Sequence, residues 1–235
     1  IIETASWRND ADAILLAWQG GQEGGNAVAD ILKGTVNPSG KLTSSFPIKY
    51  TDVPSANNFP GKELSEKPVI GALGIPMGKA SEVVYEEGIY VGYRYFQTFG
   101  KPVAFPFGFG LSYSNFHITN LKLNSATFKG KLTATLTVTN TGNVAGKEVV
   151  QLYLSAPAME LHKPGMELKA FGKTKLLKPG ESQKISFTFM PKDLASFDTK
   201  QTAWVAEKGG YILHAGNAIN ALSQHVSFEL PQTLL

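Results

Sequence analysis

The stretch Leu132-Thr133-Ala134-Thr135-Leu136-Thr137-Val138-Thr139 alternates apolar and polar or small side chains with a period of two. This pattern predicts a β-strand with one buried face. Residues 140–143, Asn-Thr-Gly-Asn, supply the turn that ends the strand. Further short strand-like segments follow, at residues 149–154, 168–177, 185–189, 203–206 and 211–215. About seven short strands over roughly 110 residues predict an immunoglobulin-like or fibronectin-III-like β-sandwich.

The sequence before the sandwich has the character of an α/β unit. Residues 13–18 are nearly all apolar and are followed by glycines, which predicts a strand buried on both faces of a parallel sheet. Residues 26–33 place apolar side chains on one stripe, and Gly34 follows as a stop signal. We therefore expect a strand, a glycine-rich turn and a helix in succession.

Residues 51–81 contain many prolines and glycines, which predicts an extended surface loop without long regular elements. Such a loop could form the wall of a cleft, contact a missing domain, or simply be solvated. Order is expected to resume at residues 82–86 and 89–96, an aromatic stretch that we expect to be packed.

Composition narrows the class of protein. The 235 residues are 43% hydrophobic and 17% charged, enough for a sizeable core and for more than one average domain. The net charge of +3 is small and the basic residues are scattered, so no nucleic-acid surface is expected. The absence of cysteine excludes disulfides and thiolate chemistry. The longest apolar run, residues 13–18, is far shorter than the roughly 20 residues of a membrane helix.

Acid–base chemistry such as glycosidic hydrolysis usually needs two carboxyl groups that face one site. The acidic candidates before the sandwich are Asp10, Asp12, Glu23, Asp30, Glu82, Glu86 and Glu87. Glu86 and Glu87 are adjacent, so in extended backbone they point to opposite faces. Glu23 follows the predicted parallel strand, where α/β sheets gather ligands. A simpler interpretation of Glu23 is a favourable negative charge at a helix start.

The sequence gives little support to metal-dependent, serine-nucleophile or nucleotide-dependent chemistry. The histidines lie in the sandwich region without metal-ligand spacing and are expected at the surface or on edge strands; they are His117, His162, His214 and His225. Ser112 and Ser114 lack the Gly-x-Ser-x-Gly elbow of a nucleophilic serine. The glycines of residues 20–25 form neither a dinucleotide nor a Walker motif. We therefore predict no metal and no cofactor.

Several aromatic side chains could stack on sugar rings or simply pack in a core or an interface. They are Trp7, Trp18, Tyr90, Tyr93, Tyr95 and Phe96. Arg94, which lies among them, could pair with a carboxylate or stack on a ring.

Six stretches of this sequence, in the same order, resemble the carboxyl-terminal part of glycoside hydrolase family 3, the family of β-glucosidases and β-xylosidases. They are residues 13–18, 21–25, 37–42, 87–96, 105–113 and 140–153. The family plan joins an amino-terminal barrel, an α/β sandwich domain and a fibronectin-III-like domain, and hydrolysis proceeds with retention through a glycosyl-enzyme intermediate.

The resemblance implies a partial α/β sandwich domain with linker at residues 1–113 and a fibronectin-III-like domain at residues 114–235. The family's nucleophilic Asp lies in a Ser-Asp-Trp-like barrel motif that this sequence lacks, and the acid/base Glu lies before the stretch matched by residues 13–18. We therefore assign no catalytic, cofactor-binding or metal-binding role to any residue. The chain has no initiator Met, so we expect it to start inside a longer protein and to be inactive alone.

The expected partners follow from the same resemblance. They are a β-linked oligosaccharide or glycoside, the missing barrel, and a second copy bound through an exposed sheet edge. The sugar, glucoside or xyloside, stays open, and a periplasmic or secreted location is expected by family analogy. Residues 105–113 are expected to form the joint between domains, with Gly108 and Gly110 allowing close backbone approach. The alternative is a free-standing carbohydrate-binding or protein-interaction module.

Overall fold

A computed structural model describes residues 1–234. The elements of the first half are α1 (Gly24–Leu32), β1 (Phe46–Pro47), β2 (Lys62–Ile70), β3 (Pro76–Glu82), α2 (Tyr93–Thr98) and β4 (Val103–Phe105). Those of the second half are β5 (Phe116–Leu123), β6 (Leu132–Asn140), β7 (Val149–Ser155), β8 (Glu167–Lys173), β9 (Ser182–Phe189), α3 (Pro191–Leu194), β10 (Ser196–Asp198), β11 (Ala203–Val205), β12 (Gly209–Gly216) and β13 (Leu222–Leu230). Single 3₁₀ turns lie at Arg8–Asp10, Tyr50–Asp52 and Ala72–Gly74. Among the described residues, no helix has the length and apolar character needed to cross a membrane.

The second half is the predicted β-sandwich. One antiparallel sheet has the strand order β13-β12-β7-β8 and the other the order β5-β6-β9, so seven strands build its two layers within the described residues. The alternation of β6 is the clearest case, because Leu132, Ala134, Leu136 and Val138 are fully buried while the residues between them are half-buried. The fold class predicted from the sequence, α/β plus a fibronectin-III-like sandwich, is confirmed.

Strand β7 is buried on both faces, although the strands of a two-layer sandwich usually have one solvated face. Its inner face packs into the sandwich core through Val150, Leu152 and Leu154. Its outer face carries Gln151 and Tyr153, which are 3% and 0% exposed. The first half of the chain therefore lies against the outside of the four-stranded sheet.

The strand predicted at residues 13–18 is wrong. These residues form no regular element, Ile14 is 43% exposed, and Trp18 is 56% exposed with a φ of 52°. A strand buried on both faces needs paired neighbours and covering layers, and none of the described residues supplies them. The predicted helix at residues 26–33 is confirmed as α1, with slightly earlier bounds.

The long loop predicted at residues 51–81 is also wrong, because β2 and β3 form an antiparallel hairpin there. The pairing begins at Lys62 opposite Glu82 and shifts register on both sides of Pro68. The breakers are tolerated because both strands of a two-stranded ribbon are edges, where a missing N–H need not disturb a ladder. Every residue of β2 is exposed, so the hairpin projects from the rest of the chain.

Candidate functional site

The acidic residues singled out in the sequence do not lie together in a cleft. Asp10, Asp12, Glu82 and Glu86 are exposed, and Asp30 is half-buried. Among the described residues, no group of three or more metal-ligating side chains forms a metal site.

Glu23 and Glu87 have distinct surroundings. Glu23 immediately precedes α1, where a negative charge favours the helix, and its carboxylate accepts a hydrogen bond from the side-chain amide of Asn26. Glu87 is half-buried, and its Oε2 atom is buried without a hydrogen-bond partner among the described residues. Glu23 therefore has a structural environment, whereas one carboxylate oxygen of Glu87 is buried with its hydrogen-bonding capacity unused among the described residues.

The tyrosine cluster packs rather than presenting free ring faces. Tyr93 lies 4.6 Å from Phe107 and 5.9 Å from Tyr153, measured between ring centroids. Tyr95 contacts Phe96, which is buried, at 5.4 Å. The Tyr93 hydroxyl also accepts a hydrogen bond of 2.8 Å from the backbone N–H of Leu168 on β8. Tyr93 therefore joins α2 to the outside of the sandwich.

Arg94 completes the same contact by pairing with a carboxylate. Its guanidinium lies 3.0 Å from Oε1 of Glu167 on β8, and the ammonium of Lys169 lies 3.2 Å from Oε2 of that residue.

The two tryptophans singled out in the sequence are more exposed than the tyrosine cluster. Trp7 and Trp18 are 41% and 56% exposed, so their rings are available to a partner.

The joint between the two halves is centred on Gln151. Its side-chain NH₂ donates to the carbonyls of Gly108 (3.3 Å) and Asn217 (2.8 Å), and its oxygen accepts from the Tyr153 hydroxyl at 2.5 Å. Burial raises the pKa of the Tyr153 phenol well above its usual value, so the hydroxyl remains a donor. A Cβ at residue 108, where φ is +80°, would come within 2.2 Å of Gln151. Glycine is thus required at residue 108, as expected for a joint at residues 105–113.

A buried ion pair adds a second connection. The Lys41 ammonium lies 2.9 Å from Oε1 of Glu148, and their side chains are 10% and 6% exposed. Lys41 also donates to the Gly110 carbonyl at 2.8 Å. Glu148 accepts from the backbone N–H of Val149 at 2.7 Å and from the side chain of Asn217 at 3.1 Å. The pair therefore ties residues 41 and 110 to Glu148, which immediately precedes β7, and through Asn217 to the end of β12.

Asn37 and the two serines complete the joint. The Asn37 oxygen accepts from the Ser112 hydroxyl and from the Tyr113 N–H, both at 2.8 Å, and its NH₂ donates to the Ala145 carbonyl at 3.1 Å. The Ser114 hydroxyl donates to the side chain of Asn140 at 2.6 Å. Both serine hydroxyls are therefore engaged in structural hydrogen bonds.

Three of the four histidines are exposed, and the fourth is half-buried. His117, His162 and His225 are exposed. The prediction of a surface or edge-strand position is wrong for His214, which is half-buried on β12, an interior strand between β13 and β7. Burial lowers the pKa of His214, and the facing ring of His225, 6.4 Å away, lowers it further. An interior position is tolerated because this part of the outer sheet face is only partly covered.

A second buried ion pair was not found by sequence reasoning. The Lys163 ammonium lies 2.7 Å from Oε2 of Glu207, and the other carboxylate oxygen accepts from the Glu160 N–H at 2.7 Å. Burial raises the pKa of Glu207, but the hydrogen bonds from Lys163 and the Glu160 backbone outweigh it and hold the pKa below its ordinary value. The pair fastens the loop after β7 to the segment before β12. Its partners are remote in sequence, so no local pattern could have revealed them.

Comparisons with known proteins agree with the resemblance seen in the sequence. Residues 1–93 match the glycosyl hydrolase family 3 C-terminal domain, and residues 148–218 match the fibronectin type III-like domain. Probable β-glucosidase I of Emericella nidulans is 44% identical over 88% of this chain, and an exo-α-(1→6)-L-arabinopyranosidase of Bifidobacterium breve is 37% identical over 98%. The structure of β-glucosidase 3B from Thermotoga neapolitana with α-D-glucose is 44% identical over 99% of the chain, with a TM-score of 0.87.

The chain spans less than a third of these relatives: 24% of the Emericella protein, 28% of the Bifidobacterium protein and 30% of the Thermotoga chain. The two domain models match in the order expected from the sequence, and the solved structure reproduces the fold over nearly the whole chain. The chain belongs to glycoside hydrolase family 3 and corresponds to the carboxyl-terminal region of that family.

Proposed function

We propose that this chain is the non-catalytic carboxyl-terminal portion of a retaining, exo-acting β-glucosidase-like hydrolase and is inactive alone. Residues 1–113 form the end of the α/β sandwich domain and residues 114–235 the fibronectin-III-like domain. None of these residues is catalytic, cofactor-binding or metal-binding. The substrate of the whole enzyme is a β-linked oligosaccharide or glycoside, and its location is periplasmic or secreted by family analogy.

The observation that carries the proposal is the exposure of apolar side chains in the first segment, residues 1–113. Ile1 is 72% exposed, Ile14 43% and Trp18 56%. The buried apolar residues of this segment are only Phe46, Pro47, Phe96 and Ala104. So small a buried apolar core, with this many apolar side chains left exposed, is typical of a unit that packs against another part of a longer protein. We assign it to the amino-terminal, barrel-bearing part of the enzyme, which would supply the nucleophile and the acid/base.

Fragment complementation tests this assignment. The chain is co-expressed with the amino-terminal remainder of the Thermotoga neapolitana β-glucosidase 3B, ending where the match to this chain begins. Hydrolysis is measured with p-nitrophenyl β-D-glucoside, β-D-xyloside and α-L-arabinopyranoside. We expect no turnover by this chain alone and turnover by the pair. Turnover by the chain alone, or none by the pair, would contradict the proposal.

A matched pair of variants tests the docking surface. Trp18→Glu places a charge within the apolar segment and should abolish complementation. Met159→Glu changes a residue that is 63% exposed on the sandwich and should leave complementation intact. A competing occupant of the surface is a second copy of this chain. Size-exclusion chromatography that shows a dimer of the isolated chain, broken by Trp18→Glu, would favour that occupant.

A further inference from the structure

The hairpin of β10 and β11 presents an aromatic pair to solvent, away from the joint. Phe197 and Trp204 are directly opposite in the strand register. Their ring centroids are 5.6 Å apart with an interplanar angle of 68°, an edge-to-face arrangement. Phe197 is 47% exposed and Trp204 is 61% exposed. Because the two rings are in contact, they form one exposed aromatic patch on the surface of the chain.

The opposite face of this hairpin holds it in place. Val205 and Asp198 are 4% and 7% exposed. The Asp198 carboxylate accepts hydrogen bonds of 2.8 Å from the backbone N–H of Lys200 and from the side chain of Gln201, which closes the turn between the strands. The two rings therefore stand on a fixed support, and a ligand would not have to order them.

We infer that Phe197 and Trp204 form a binding platform for a β-linked oligosaccharide. Aromatic faces suit the apolar C–H surface of a pyranose ring, and a polar edge suits its hydroxyls. The indole N–H of Trp204 donates to no acceptor among the described residues, so it is available to a sugar hydroxyl. The choice of β-linked sugars rests on the proposed function, whereas the platform itself rests on the geometry.

The size of the platform favours a sugar over a protein. A large aromatic side chain presents about 150–250 Å², so the exposed parts of these two rings amount to about 250 Å². A stable protein interface buries about 800 Å² on each partner. The exposed rings would cover one or two sugar units but would be a small part of a protein interface.

Affinity electrophoresis of the whole chain tests the platform. Native gels are cast with soluble β-glucan, with dextran as an α-linked glucan, or without polysaccharide. We expect β-glucan alone to retard the wild-type chain, and Trp204→Ala to weaken retardation about tenfold. Phe171→Ala, which removes an aromatic ring that is 71% exposed on β8, should be retarded like the wild type. Circular dichroism confirms that each variant keeps its fold.

Several results would overturn the inference. They are equal migration of the wild type in all gels, equal retardation by dextran, or equal retardation of the wild type and Trp204→Ala.

A second experiment measures tryptophan fluorescence during titration with cellohexaose. It uses the variant Trp7→Phe/Trp18→Phe, in which Trp204 is the remaining tryptophan. Unchanged fluorescence would also contradict the platform. Neither assay requires catalysis, so failure here leaves the complementation test intact, and failure of complementation leaves these results standing.

Discussion

Replacing Lys41 by methionine tests whether the buried ion pair holds the joint together. Lys41 and Glu148 are 2.9 Å apart, with side chains 10% and 6% exposed. Removing one partner of a buried pair costs about 3–5 kcal/mol because the other charge is left buried. Glu148 keeps its hydrogen bonds from Val149 and Asn217, so we expect the lower end, about 3 kcal/mol. For a protein of this size this lowers Tm by about 6–12 °C.

The assay is thermal and urea unfolding of the wild type and matched variants. Lys79→Met is the control, because it breaks the Lys79–Glu63 pair, whose side chains are 39% and 61% exposed. Such a surface pair contributes about 0–1 kcal/mol. The double variant Lys41→Met/Glu148→Met should recover most of the lost stability, since it leaves no unpaired buried charge.

Two results would refute this reasoning. The first is a Lys41→Met variant within about 1 kcal/mol of the Lys79→Met control. The second is a double variant no more stable than Lys41→Met. Either would mean that the Glu148 charge is already well solvated and that the pair is not what fastens residue 41 to the sandwich.

Four further predictions concern the joint, two titrating groups and the projecting hairpin. Tyr153→Phe should cost about 1–3 kcal/mol of unfolding free energy because the Gln151 oxygen loses its buried donor. The pKa of Glu207 is lowered from 4.5, so its contribution to stability is present above that pH and is lost as the pH falls through the folded pKa. Glu207→Gln should therefore flatten the loss of stability in acid. The pKa of His214 is lowered from 6.5, so His214→Gln should likewise flatten a loss that begins as the pH falls below 6.5. Replacing residues 63–81 by Asn-Gly should leave Tm nearly unchanged, because β2 is exposed along its whole length.

Controls separate these effects from general damage. Tyr113→Phe removes a hydroxyl that donates to the Ile31 carbonyl at the surface, and it should cost less than Tyr153→Phe in the same unfolding assay. His162→Gln alters an exposed residue and should leave the pH profile unchanged. Profiles of Glu207→Gln and His214→Gln that parallel the wild type, or a hairpin deletion that unfolds the sandwich, would contradict the corresponding predictions.

The sandwich could be predicted because its strands carry their burial pattern locally. In β6 the alternation is unbroken, so the residues of its buried face can be identified from the sequence alone. Strand β5 was missed because Asn120, at a φ of 58°, and a register shift interrupt its alternation. Strand β13 was missed because Gln224 interrupts the inward-facing apolar series, in which only Phe228 and Leu230 are fully buried.

The joint could be predicted only in part. The glycines and aromatics of residues 105–113 indicated a close approach of two units, and the contact between Gly108 and Gln151 accounts for that signal. The partners of Lys41 and Arg94 could not be read from the sequence, because long-range ion pairs leave no periodic pattern. The apolar run at residues 13–18 gave a wrong prediction of a buried strand, because a strand forms only where neighbouring strands exist to pair with it.

The covered face of strand β7 bears on how this sandwich could be transplanted. Cut at residue 114, it would carry Tyr153 and Gln151, now 0% and 3% exposed, as a bare apolar and hydrogen-bonding strip open to water. A graft that begins before Tyr93 would retain α2, Phe107 and Gly108, which cover that strip. The part of the chain that could be grafted intact is therefore longer than the fibronectin-like sandwich alone, and it begins within the preceding domain.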